Sequence, residues 1–86
     1  MMLLFISKGC SACLRVQKRI KEDRIEGAHV LEIRYSKEKN KYIVMDESGE
    51  DIGQESPVTT VPTLFFLEEN KVYTGEEEIL RRLNNE

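Results

Sequence analysis

The chain has 86 residues, 34% of them charged and 40% apolar, with a formal net charge of −3 at pH 7. That length supports one core and not two, and the composition is that of an ordinary globular domain. The acidic balance gives no general attraction to nucleic acid or to anionic membrane, and no apolar run approaches the length of a membrane span.

Met1 to Ile6 is apolar, but no basic residue precedes it and it is too short for the apolar region of a secretory leader. The expectation is a single cytoplasmic domain, residues 1–86, in a compartment that keeps thiols reduced. Two cysteines in that setting are expected to be catalytic or metal-binding rather than a structural staple.

Leu3-Leu4-Phe5-Ile6, bounded by Ser7-Lys8-Gly9, predicts a buried strand over 2–7. Gly9 lets the chain turn sharply before Cys10. Residues 11–24 follow as a helix, with Cys13, Val16 and Ile20 on the inward face. Arg15, Lys18, Arg19, Lys21 and Glu22 fall on the solvated side, and Gly27 closes the region. Val30 to Tyr35 alternates as a second strand, Leu31, Ile33 and Tyr35 on one face and Glu32 and Arg34 on the other.

Residues 36–41 are too polar for a core and predict a loop or the start of a helix. Tyr42 to Asp46 fits either a short helix or the first arm of a hairpin turning at Glu47-Ser48-Gly49-Glu50. The β-branched residues before that turn favour the hairpin. Tyr42 and the acidic 46–55 run are expected on a solvated face. After Pro57, Thr63-Leu64-Phe65-Phe66-Leu67 gives the strongest strand signal in the chain. Glu68 to Lys71 reads as a tight turn in which Asn70 tolerates positive φ. Val72-Tyr73 begins the return strand. Thr74 is expected to cap a last helix over 76–84, with Glu77 completing a capping box and Ile79, Leu80 and Leu83 forming its apolar stripe. The order strand, helix, strand, an undecided middle, strand, strand, helix predicts an α/β domain, a mixed four-stranded sheet flanked by helices.

Cys10 and Cys13 are the only cysteines, two residues apart, between the first strand and the first turn of the helix. A helix N-terminus carries partial positive charge and unpaired N–H groups, both of which favour thiolate over thiol. That predicts Cys10 as a nucleophilic thiolate and Cys13 as its resolving partner. A structural zinc site needs four ligands, and His29 is the one further soft or nitrogen ligand. A metal or iron–sulfur cluster shared between two chains through the same cysteines remains the alternative from another functional class. No histidine falls near Cys10 in the sequence, which argues against cysteine-hydrolase chemistry.

The Cys-x-x-Cys after the first strand and Thr60-Val61-Pro62 before the third resemble the thioredoxin superfamily. The size, the short N-terminus and the short final hairpin are most similar to glutaredoxins. Residues 2–35 and 58–84 follow that pattern; residues 36–57, where these proteins usually carry a second helix, do not match it. The resemblance implies a thioredoxin fold, with Cys10 as nucleophile and Cys13 as resolving cysteine. It also implies that Lys8 contacts a carboxylate of glutathione. Thr60-Val61-Pro62 falls on the substrate-binding loop, with Pro62 expected to be cis and the preceding Val61 to pair its backbone with a thiol substrate. Gly75, Glu76 and Glu77 fall where glutaredoxins hold the γ-glutamyl end of glutathione, here with Thr74 for the first glycine and glutamates for aspartates. Ser11-Ala12 replaces the Pro-Tyr or Pro-Phe of glutaredoxins and the Gly-Pro of thioredoxins, and Ser11 offers a hydroxyl to a sulfur or a backbone N–H.

The function so implied is thiol–disulfide oxidoreduction of protein or glutathione mixed disulfides, by a monomer that needs no metal. Glutathione is the expected electron donor. A thioredoxin-like reductant recharged by a flavoprotein reductase is the alternative within the same class.

Overall fold

Alternation along the first strand decides the layering. In β1 (Met2–Ile6), Met2 and Leu4 point to one face and Phe5 to the other. The computed structural model describes residues 1–46 and 48–84. Its further elements are α1 (Ser11–Glu22), β2 (Ala28–Ser36), β3 (Lys41–Met45), β4 (Asp51–Glu55), β5 (Thr63–Phe66), β6 (Lys71–Thr74) and α2 (Glu76–Asn84). No described helix is long and apolar enough to cross a membrane.

The strands form one sheet in the order β4-β3-β2-β1-β5-β6. β1 and β2 are parallel, joined through α1, and every other pairing is antiparallel. β1 lies between β2 and β5 and has apolar cover on both faces, which explains why it reads as an unbroken apolar run. Met2 and Leu4 pack with Val16 and Ile20 of α1, Leu64 and Phe66 of β5, and Ile79 and Leu83 of α2. Side chains as fully buried as Leu4, Leu64 and Ile79 each contribute about 1.5–3 kcal/mol. A one-residue slip of β1 would turn Met2 and Leu4 away from both helices, so its register is fixed.

The expected four-stranded sheet is six-stranded, because residues 41–55 form a hairpin that joins it. Val44 pairs with Ile33 of β2 and shares its cluster with Phe5, while Ile43 and Met45 are buried beside it. Asp46 closes the turn: its carboxylate accepts from the Ser48 N–H and hydroxyl and from the Glu50 N–H. Glu47, part of the expected turn, lies outside the described residues. β4 is an exposed edge strand along its whole length, as its acidic, glycine-containing sequence requires. Tyr42, expected on a solvated face, is instead half-buried against the Phe5, Ile33 and Val44 cluster. Its ring meets Tyr35 edge to face.

α1 and α2 share one face of the sheet and contact each other. The opposite face is covered by the segment between β4 and β5, whose Val58 and Val61 pack on the second cluster. That segment is pinned by Ser56, which donates its N–H to the Tyr42 carbonyl at 2.9 Å and exchanges hydrogen bonds with Val58.

Two expected helix boundaries are also corrected. α1 ends at Glu22, two residues short of the expected 24, and is closed by a left-handed Arg24 (φ 53°) and not by Gly27, with the Ile25 N–H bonded to Ile20 O and the Arg24 N–H to Lys21 O. This is the double hydrogen bond of a Schellman motif, accompanied by Ile25 packing on the Ile20 cluster. Thr74 does not cap α2, because it is still in β6, paired with Thr63. Gly75 takes the capping position with φ +85°, and its carbonyl accepts the Ile79 N–H at 3.1 Å.

Candidate functional site

Chain direction brings five segments to one end of the sheet. β1 runs into the Ser7-Lys8-Gly9 turn and α1 begins there; the 56–62 segment enters β5, and β6 leaves for α2. Phe5 pairs with Thr63, so Pro62 lies level with the residues leading to Cys10.

Cys10 is the N-cap of α1, with extended backbone (φ −93°, ψ 101°) and a half-buried side chain. Its Sγ accepts the Cys13 N–H at 3.1 Å, the bond that an N-cap serine or aspartate oxygen would ordinarily make. The cap is therefore a sulfur held in the positive field of the helix terminus. The first turn of α1 contains no acidic residue, so no carboxylate of its own opposes negative charge on that sulfur. Cys13, one turn further in, is 1% exposed. The two sulfurs are at disulfide-bonding distance and the Cα atoms are 5.2 Å apart, so the pair closes without moving the backbone. One sulfur reachable and one shielded is the asymmetry that an attacking and a resolving thiol require.

The remaining sequence-predicted residues divide between this end and their own local contacts. Lys8 is exposed, two residues before Cys10, with no ion-pair partner among the described residues. Ser11 is the exposed first residue of α1. The Val61–Pro62 bond is cis. Val61 is half-buried on the second cluster, Pro62 is buried, and the Thr60 carbonyl accepts the Thr63 hydroxyl at 2.6 Å. The Gly75 N–H donates to the Pro62 carbonyl at 2.9 Å and so ties the start of α2 to this loop. Glu77 pairs with Arg81 one turn on. His29 pairs with Leu3 on the sheet, away from the Cys10 turn.

Glu76 is already engaged. Arg15 of α1 grips its carboxylate with two nitrogens, one of them at 2.8 Å. The bidentate bond holds the Glu76 carboxyl below its ordinary range and raises the Arg15 guanidinium, in each case chiefly through the hydrogen bond itself. By residue spacing Arg15 is one more charge on the solvated side of α1. It in fact ties the second turn of α1 to the first residue of α2. Nothing in residue spacing could have revealed this, because its partner lies 61 positions away.

Among the described residues, no three His, Cys, Asp or Glu side chains converge as a metal-binding set. Chemically, the arrangement offers a half-buried sulfur at a positive helix terminus, a shielded sulfur within bonding reach, and a proline loop alongside. Comparison with protein-family models, with curated proteins and with solved structures gives no match.

Proposed function

We propose that this chain is a thiol–disulfide oxidoreductase built on a thioredoxin-like core, closest in plan to a glutaredoxin. The observation that carries the reading is the Cys10 side chain serving as N-cap of α1 within bonding distance of the shielded Cys13 sulfur. The strand order β2-β1-β5-β6, with both helices on one face, supports the architecture. The hairpin β3–β4 then stands in place of the second helix that such proteins usually carry.

In the reduced protein, the Cys10 thiolate attacks one sulfur of a substrate disulfide. A Cys10–substrate disulfide forms and the other substrate sulfur leaves as thiolate. The Cys13 sulfur, once deprotonated, attacks Cys10 Sγ and releases the second substrate thiolate. Two electrons pass from the Cys10/Cys13 dithiol to the substrate, and the protein is left with the internal disulfide. Two glutathione molecules, or a flavoprotein reductase, return those electrons. The substrates are protein disulfides or glutathione mixed disulfides in a reducing, cytoplasmic setting.

The test is a Cys13→Ser variant offered glutathione disulfide and analysed by intact mass. The expected product carries one glutathione, on Cys10, because the resolving thiol is gone. No adduct, with insulin disulfides still reduced by the parent protein, would favour recharging by a flavoprotein. Full reductase activity in Cys10→Ser would overturn the mechanism.

A further inference from the structure

β2 runs past the point where β1 leaves the sheet. Ile6 is the last β1 residue in register, opposite Glu32, and the four residues Ile33–Ser36 continue with β3 as their strand partner. At about 3.3 Å per residue this overhang extends about 13 Å beyond β1. It rises beside the Ser7-Lys8-Gly9-Cys10 turn. Between turn and overhang lies a cavity of about 280 Å³, walled by Ser7 and Lys8 on one side and by Glu32, Ile33, Arg34, Tyr35 and Tyr42 on the other.

Three features of this cavity define what fits it. Its volume is at the bottom of the range of about 300–1,000 Å³ that accommodates whole small-molecule ligands, so it suits one large side chain. Its aromatic wall is the Tyr35–Tyr42 pair, edge to face at 5.2 Å, with Tyr35 45% exposed and its hydroxyl anchored on Asn40 of the β2–β3 turn. A third ring can extend that pair within the usual spacing of about 4.5–7 Å. Its uncompensated charge is positive: Arg34 engages the Glu32 carboxylate at 3.3 Å, whereas Lys8 has no ion-pair partner among the described residues.

We propose that this cavity is a substrate side-chain subsite, taking an aromatic residue next to the substrate cysteine while Lys8 pairs with a neighbouring carboxylate. The substrate class is then a peptide or protein disulfide flanked by an aromatic and an acidic residue. Reach agrees with this assignment. The Lys8 and Cys10 Cα atoms are two trans peptides apart, at most about 7.6 Å, which an extended substrate spans in two or three residues. The inference rests on Cys10 being the attacking sulfur.

The experiment uses the full, reduced chain in single turnover on three cysteine peptides, each linked to thionitrobenzoate. Cys10 attacks the peptide sulfur and thionitrobenzoate leaves as the coloured thiolate. The flanking pairs are Phe-Asp, Ala-Asp and Phe-Lys. The Phe-Asp peptide is expected to react about fivefold faster than Ala-Asp, the scale of one added aromatic contact. That ratio falls to near one in Tyr35→Ala and in Tyr42→Leu, the latter keeping apolar volume at the half-buried position. The preference for Asp over Lys falls in Lys8→Gln. Equal rates for Phe-Asp and Ala-Asp, or a ratio that survives both tyrosine variants, would overturn the subsite and leave the oxidoreductase reading standing. No reaction with any of the peptides would overturn both.

Discussion

Replacing Gly75 by alanine isolates the backbone contribution of one residue at the site. Gly75 has φ +85°, donates its N–H to the Pro62 carbonyl at 2.9 Å and accepts the Ile79 N–H at 3.1 Å. Both of its polar groups are committed, so the residue cannot rotate out of the left-handed region without losing a bond. A Cβ placed there meets nothing within 4 Å, which removes any steric term and leaves only the torsional one. That term is about 1–2 kcal/mol for an L-residue. Alanine also restricts the unfolded chain, which offsets about 0.4–1 kcal/mol. At the middle of both ranges the torsional term wins, with a net loss of about 0.8 kcal/mol. For a domain of this size that lowers Tm by roughly 3–6 °C. The assay is urea denaturation with Cys10 and Cys13 held oxidised in both proteins, reading a lower midpoint at unchanged slope. Gly75→Asn should fall between the two, since asparagine tolerates this region better than alanine. An alanine variant as stable as the parent would refute the reasoning.

Two further predictions concern the C-terminal end of α1 and the β3–β4 turn. Arg24→Gly relieves the left-handed strain at the end of α1, and after the unfolded-state offset should raise stability by about 0.5–1 kcal/mol in the same denaturation assay. The Asp46 carboxyl is held below its ordinary value of 3.8, first by the Ser48 hydroxyl and then by backbone N–H groups. A depressed folded-state value stabilises above the unfolded-state value and is lost as pH falls through the folded one. The turn should therefore loosen as pH drops below 3.8, seen as acid-dependent shifts of the Ser48 and Glu50 amide resonances. Those shifts should be absent in Asp46→Asn.

What was legible in the sequence follows from how local each signal is. The Leu3–Ile6 run, the Cys13, Val16 and Ile20 face and the Thr63–Phe66 strand are patterns within one element, and each marks an element of the fold. Asn70 at φ 53° is a preference of a single side chain for a single conformation and was equally readable. Boundaries failed where a hydrogen bond outranked residue preference. Arg24, not glycine, ends α1 because Ile25 gains burial beside Ile20. Gly75, not Thr74, precedes α2 because Thr74 completes the ladder with Thr63. At the site, Cys10 and Cys13 were legible because one helical turn sets their relation. Arg15–Glu76, Gly75–Pro62 and the Tyr35–Tyr42 wall join distant segments and leave no pattern in a window of residues.

The β3–β4 hairpin, which the sequence favoured over a helix, has a consequence for the site beyond the extra strands. With both helices on one face of the sheet, Phe5, Ile33 and Val44 need cover from elsewhere, and Val58 and Val61 supply it. The same segment ends at Pro62 beside the Cys10 turn. Its start is fixed to β3 by the bond from the Ser56 N–H to the Tyr42 carbonyl, and its end to α2 by the bond from the Gly75 N–H to the Pro62 carbonyl. A segment that would otherwise be a free loop is thus held at both ends and packed in the middle. The exposed β4 edge can open at little cost, since none of its five residues is buried, but β3 cannot leave without uncovering Val44 and releasing Ser56. The position of the proline loop relative to Cys10 therefore depends on β3, whereas β4 can vary without moving it.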